Sequence, residues 1–176
     1  EFAFARQVEV GTDSARFAAL YAAAIELRGN TTDIHIDHNR MIHLPAGVIG
    51  SPLVIRNPQT LDRIVIEDNE FEDIEGSAIA LSNGWSHSGL RDTGSRLIHV
   101  SIMRNRIEDC GYRTLAHWSV GAHGHGIEVT GGELVEIAWN HVYRSWGSGI
   151  AVLMGSDYSR GKVERPLIRG LVHHNK

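Results

Sequence analysis

Apolar residues along this chain recur at every second position in short runs. Ile34/Ile36, Ile64/Ile66, Val100/Ile102, Ile127/Val129, Val135/Ile137 and Ile150/Val152 each skip one residue. Alternation of β-branched residues over a few positions, bounded by Gly, Asn or Ser, predicts half-buried strands. The runs also recur as a set. Asn39, Asn69, Asn105, Asn140 and Asn175 stand 30, 36, 35 and 35 residues apart, and their flanks keep register. Five residues before them stand Ile34, Ile64, Val100, Val135 and Gly170, and three before stand Ile36, Ile66, Ile102, Ile137 and Val172. Two after stand Met41, Phe71, Ile107 and Val142, and ten after stand Ile49, Ile79 and Ile150. In the third repeat the matching residue is Ile127, so that repeat carries about 12 extra residues.

Each unit therefore reads strand, Asn turn, strand, loop, strand, loop. Three short strands in a repeat of this length predict an all-β fold, a parallel β-helix. Coils stack about 4.8 Å apart, and the Asn side chains would form an inward ladder that bonds backbone at each bend. One segment departs from strand chemistry. Phe17, Leu20, Tyr21 and Ala24 follow helical spacing behind Asp13 or Ser14, which predicts a short helix in the loop before Ile25.

The pattern resembles the right-handed β-helix repeat proteins of the pectate-lyase-like superfamily. Residues 100–111 (VSIMRNRIEDCG), 126–131 (GIEVTG), 135–142 (VEIAWNHV) and 149–152 (GIAV) carry the resemblance, which covers most of 24–175. The superfamily holds polysaccharide lyases, glycoside hydrolases, uronate epimerases, and non-catalytic adhesins and tailspikes. The resemblance implies a right-handed coil, a substrate groove over the first strand of each coil (the Gly-x-Ile strand), and an extracellular or periplasmic location. The chain starts at Glu1, and Ile25-Glu26-Leu27 falls one coil before the first Asn. The register thus predicts one β-helix domain over 1–176, truncated at both ends. Further coils of a longer chain, or oligomer partners, would cover the open ends.

Composition narrows the functions. Net charge is −4 with 22% charged residues, which offers no polycation for nucleic acid. The longest apolar run, residues 17–25, is nine residues, half of a membrane span. Cys110 is the single cysteine, so no intrachain disulfide forms. The partner expected is a polysaccharide or oligosaccharide, with neither nucleic acid nor membrane.

Candidate chemistry gathers beside the first strand. Ile127 and Val129 point inward, so Glu128 points outward, with Glu26, Gly50, Ala80 and Ala151 as its equivalents on other coils. One carboxylate among small residues leaves room for a ligand. Residues 109–125 form the long loop and bring Tyr112, Arg113, His117, Trp118, His123 and His125. His, Tyr and Arg supply proton transfer and anion neutralisation, and Trp a face for a sugar. The loop at 155–165 adds Asp157, Tyr158, Arg160 and Lys162, and the preceding coil adds Trp85, His87, Arg91 and Asp92.

Two mechanisms fit these residues. Hydrolysis needs two carboxylates, for which Glu128 with Asp157 is the best pair and Asp92 the substitute. β-Elimination needs a base, His125, His117 or Tyr112, and a cation, Arg113 or Arg160. Hydrolysis is favoured, because Glu128 occupies the groove floor. The alternative is a non-catalytic glycan-binding or structural β-helix, with Trp85, Trp118 and Trp146 as stacking platforms. No cofactor is expected. A calcium ion on Asp and Glu, or zinc on His123, His125 and Glu128, are the metal alternatives, neither of them favoured.

Overall fold

The computed structural model describes residues 2–3, 23–27, 29–50, 60–82, 96–112, 124–153 and 170–176. In chain order the strands are β1 (Phe2–Ala3), β2 (Ile25–Leu27), β3 (Thr31–Asp37), β4 (Arg40–Leu44), β5 (Val48–Gly50), β6 (Thr60–Glu67), β7 (Glu70–Ile74), β8 (Ile79–Ser82), β9 (Arg96–Met103), β10 (Arg106–Cys110), β11 (Ile127–Thr130), β12 (Glu133–Ala138), β13 (His141–Ser145), β14 (Ile150–Leu153) and β15 (Gly170–His173). Every third strand pairs in parallel, which makes three five-stranded sheets. The Gly-x-Ile strands form one (β2-β5-β8-β11-β14), the strands before each Asn a second (β3-β6-β9-β12-β15), and those after it the third (β1-β4-β7-β10-β13). This is a parallel β-helix. The segment predicted as a helix before Ile25 lies outside the described residues, apart from Ala24 at its end.

Because side chains alternate along each strand, one side chain in two enters the tube. Ile64, Val100 and Val135 stack in one internal column, and Ile36, Ile66, Ile102 and Ile137 in another. The middle coils close completely: Ile64, Ile66, Ile102, Ile127, Val129 and Ile137 are fully buried. Ile34, Ile150 and Val152, in the outer coils, are only partly buried but pack on the same core.

The asparagines form the predicted ladder. The Nδ2 amide of Asn69 donates to Asn105 Oδ1 at 3.0 Å, and that of Asn105 to Asn140 Oδ1 at 3.0 Å. Asn39 extends the row at one end (3.1 Å) and Asn175 at the other (3.0 Å). Each Oδ1 also accepts the backbone N–H of the Asn before it. Asn69, Asn105 and Asn140 are buried.

One part of the register differs from expectation. Val48, not Ile49, aligns with Ile79, and Ile49 aligns with Ala80. Only three residues, Pro45 to Gly47, separate Leu44 from Val48, whereas four, Glu75 to Ala78, separate Ile74 from Ile79. The shorter turn shifts the alternation by one, and a one-residue slip exchanges the two faces. Gly50 therefore faces inward, where an added Cβ would lie 2.6 Å from Leu81. It is Ile49 that shares the outward column with Glu128.

The backbone carries a second regularity. Every non-glycine residue described with positive φ falls six before, one before or four after a ladder Asn. Asp33, Arg63, His99 and Leu134 form the first set, His38, Asp68, Arg104, Trp139 and His174 the second, and His43, Asp73, Asp109 and Arg144 the third. One set sits at the Asn bend and two lie within strands, and like positions recur from coil to coil. Opposite charges then meet: Arg63 bonds Asp33, Arg104 bonds Asp68, and Arg144 bonds Asp109.

Hydrogen bonds from those guanidinium groups hold the three Asp carboxyls below the usual range. A carboxyl lowered on folding stabilises the fold above its unfolded pKa, and that contribution is lost as pH falls through the folded value. Melting temperature should therefore drop as pH is lowered below about 4. The effect should be small and should shrink with added salt, since the pairs are exposed. Thermal melts of wild type and of Arg104→Gln across that range check this. If the two fall in parallel, the Arg104 pairs contribute nothing.

Candidate functional site

The sheet made by β2, β5, β8, β11 and β14 sets the site. Its outward column runs Glu26, Ile49, Ala80, Glu128 and Ala151. Glu128 faces away from the tube, as its alternation with Ile127 and Val129 requires, yet it is only 1% exposed. Ile49, Ala80 and Thr130 are buried on the same side. The strand's outer face is thus withdrawn from water in this structure and is not an open floor. Among the described residues Glu128 is the sole buried side chain that carries a formal charge.

The exposed chemistry lies at the corner where β10 and β13 turn toward β11 and β14. In the fourth coil, four residues span the turn from Ser145 to Ile150. In the third, sixteen residues separate Cys110 from Ile127, which places the extra twelve here. The chain leaves and returns at one point. Gly111 (φ +82°) lies so close to Gly124 (φ +71°) that a Cβ on Gly111 would come within 2.1 Å of Gly124 O. No side chain fits there, and both residues hold a left-handed conformation that favours glycine. Long insertions in a repeat fold are often functional.

The turn at 145–149 seals this base. Trp146 N–H donates to Cys110 O and Gly147 N–H to Gly124 O, both at 2.9 Å. The single proton of Ser145 Oγ is shared between Gly124 O (3.2 Å) and Ser148 O (3.0 Å). Ser148 N–H donates to His125 Nδ1 at 2.9 Å, and His125 N–H donates to Ser77 Oγ at 3.1 Å. At the surface of this corner Trp146 is 77% and Tyr112 40% exposed. Close beneath, the Cys110 thiol is pushed up by burial, which makes it a packing residue rather than a nucleophile.

Of the residues read from the sequence, the structure places Glu128 inside the sheet's outer layer and brings His125, Tyr112 and Trp146 to the corner. Arg113, His117, Trp118, His123, Trp85, Asp157, Tyr158 and Arg160 lie outside the described residues, as do Arg91, Asp92 and Lys162. No three His, Cys, Asp or Glu side chains converge on a metal-sized site among the described residues. Sequence reasoning missed Gly147 and Ser148. A Cβ on Gly147 would lie 2.8 Å from His125 Nδ1, so the glycine is what lets the turn reach the ring. The run Trp146-Gly-Ser-Gly149 was the available signal, since closely spaced glycines mark close backbone approach.

A tube of three parallel sheets with an internal Asn ladder is a β-helix. The family model for the right handed beta helix region matches residues 16–162, and the chain belongs to that family. Neither the search of curated proteins nor that of solved structures returned a match. Membership fixes the fold and the hand of the coil. It is compatible with carbohydrate-active enzymes and with other β-helix proteins alike.

Proposed function

We propose that the protein cleaves glycosidic bonds of a polysaccharide, as a hydrolase in preference to a lyase, with Glu128 as the carboxyl that works at the bond. The observation that carries this reading is the burial of one carboxylate in the outward column, between Ala80 and Ala151. Burying an ionisable group is costly and does nothing for packing that an apolar side chain would not do better. Such a group is a functional-site candidate.

Hydrolysis needs a second carboxylate about 5–9.5 Å away. Asp157, on the loop after β14, is the proposed partner, with Asp92 as substitute. Glu26 is three rungs off, roughly 14 Å, and too far. Elimination remains the competing chemistry, with His125, His117 or Tyr112 as base and Arg113 or Arg160 against a uronate carboxylate. Trp146 and Tyr112 would offer stacking faces to the sugar at the rim.

A second reading is glycan binding without cleavage, as in an adhesin or tailspike. It is favoured by the contrast between Glu128, 1% exposed, and Trp146, 77% exposed. Catalysis requires substrate to reach Glu128; binding at Trp146 does not. Assays for new reducing ends and for the absorbance of an unsaturated uronate separate hydrolase, lyase and binder. Trp146→Ala should weaken glycan binding about tenfold, the value of one sugar stacking on an aromatic face, without altering stability measurably. Isothermal titration reads the first effect and a thermal melt the second. Unchanged affinity would remove Trp146 from the site.

A further inference from the structure

We infer that Thr130 is a further ligand-binding residue of the Glu128 site, whose hydroxyl bonds an oxygen of the sugar lying beside the carboxyl. The inference rests on the glycan reading above and names the residue that sets the sugar's position on the strand.

Alternation places the side chain. Ile127 and Val129 are fully buried in the core of the tube, so Glu128 and Thr130 stand together on the outer face of β11. Two residues along a strand separate them by about 7 Å. In register, Thr130 lies between Ser82 on β8 and Leu153 on β14, as Glu128 lies between Ala80 and Ala151. Ser82, like Ala80, is fully buried. The face therefore changes character along its length, from alanines beside the carboxyl to hydroxyls at the end of the strands.

Packing does not call for the Thr130 hydroxyl. Thr130 is only 3% exposed, and among the described residues its Oγ1 has no hydrogen-bond partner. A hydroxyl withdrawn from water without a partner costs free energy. Valine has the same branched shape and an equal preference for strands, and carries no hydroxyl. On packing alone Val would be the better residue here. The hydroxyl gains a use only when a ligand brought to this face bonds it.

The position suits that use. Thr130 is the last residue of β11, and Gly131 (φ +63°) follows it at the turn toward β12. A β-branched side chain is stiff at χ1, so the hydroxyl is held ready and little freedom is lost on binding. Hydroxyl groups both donate and accept, which matches the hydroxyl and ring oxygens of a sugar. Being uncharged, Thr130 takes neutral and acidic sugars alike. It fixes the sugar relative to Glu128 and leaves the chemistry at the bond to other groups.

The test compares two variants of the 176-residue chain, with cellohexaose and hexagalacturonate as probes. Thr130→Val keeps the shape and removes the hydroxyl; Thr130→Ser keeps the hydroxyl and removes the methyl. For a probe that wild type binds, Thr130→Val should lose about fivefold in affinity, the value of one hydrogen bond, and Thr130→Ser should stay within about twofold. The melting temperature of Thr130→Val should equal or exceed that of wild type. The opposite order, with Ser weakened and Val unchanged, would show that only the methyl matters and would overturn the inference. A clear fall in melting temperature for Thr130→Val would show a structural hydroxyl and would overturn it too. Equal affinity of wild type and both variants sinks the role of Thr130 alone. If wild type binds neither probe, that role falls together with the glycan reading.

Discussion

Replacing Glu128 by Gln should lower turnover of the polysaccharide by about two to four orders of magnitude while leaving the coil folded. Gln has nearly the same shape and keeps the carbonyl oxygen, so the buried site between Ala80 and Ala151 stays filled. What it loses is the ability to exchange a proton or to attack as an anion. The melting temperature should stay near that of wild type, because Gln keeps the shape and the carbonyl oxygen of the side chain. Reducing-end release and a thermal melt measure the two halves. Unchanged turnover in Glu128→Gln would remove the carboxylate mechanism. A sharp loss of stability with unchanged binding would show Glu128 to be a structural group.

The largest stability losses should come from the middle of the tube. Asn105→Ala removes the acceptor of the Asn69 backbone N–H (3.1 Å) and of the Asn69 amide (3.0 Å), and also the donor to Ile66 O (2.9 Å). These groups are buried, and an unpaired buried group costs about 1–3 kcal/mol. The variant should lose about 3 kcal/mol, or roughly 6–12 °C in melting temperature for a domain of this size. Ile102→Ala should cost about 2–5 kcal/mol, because a fully buried column residue leaves a cavity between coils. Asn39→Ala is the control. It ends the ladder and is only half-buried, so water can replace part of what it loses, and about 1 kcal/mol is expected. Equal losses at Asn39 and Asn105 would mean that the ladder contributes locally and not as a row.

The three strands per coil, the Asn ladder and most of the core columns were legible in the sequence because each recurs four or five times. Where a repeat departs from the others, legibility fails. Ile49 looks like Ile79 in its composition and spacing from Asn39, but the short turn through Pro45 moves it to the other face. The left-handed residues were not legible either. Arg63, Arg104, Leu134 and Trp139 have no local preference for positive φ. The stacking of whole coils imposes that conformation, and the inter-coil pairs form as a consequence.

The candidate site divides in the same way. Alternation alone directs Glu128 outward, and the 12-residue insertion alone marks the corner. Neither could say that the outward face is buried, since burial depends on what lies over a strand and not on the strand. Nor could they pair His125 with Ser148, twenty-three residues on, because that contact exists only when one coil is laid on the next. The sequence by itself determined the repeat, its period and the inward residues, since these follow from alternation and from side chains that must leave water. The tertiary structure alone decided register at the irregular turn, the left-handed conformations, the burial of Glu128 and the contact between His125 and Ser148. Each of those depends on contacts between stacked coils, which join residues from 23 apart along the chain (His125 and Ser148) to 48 apart (His125 and Ser77).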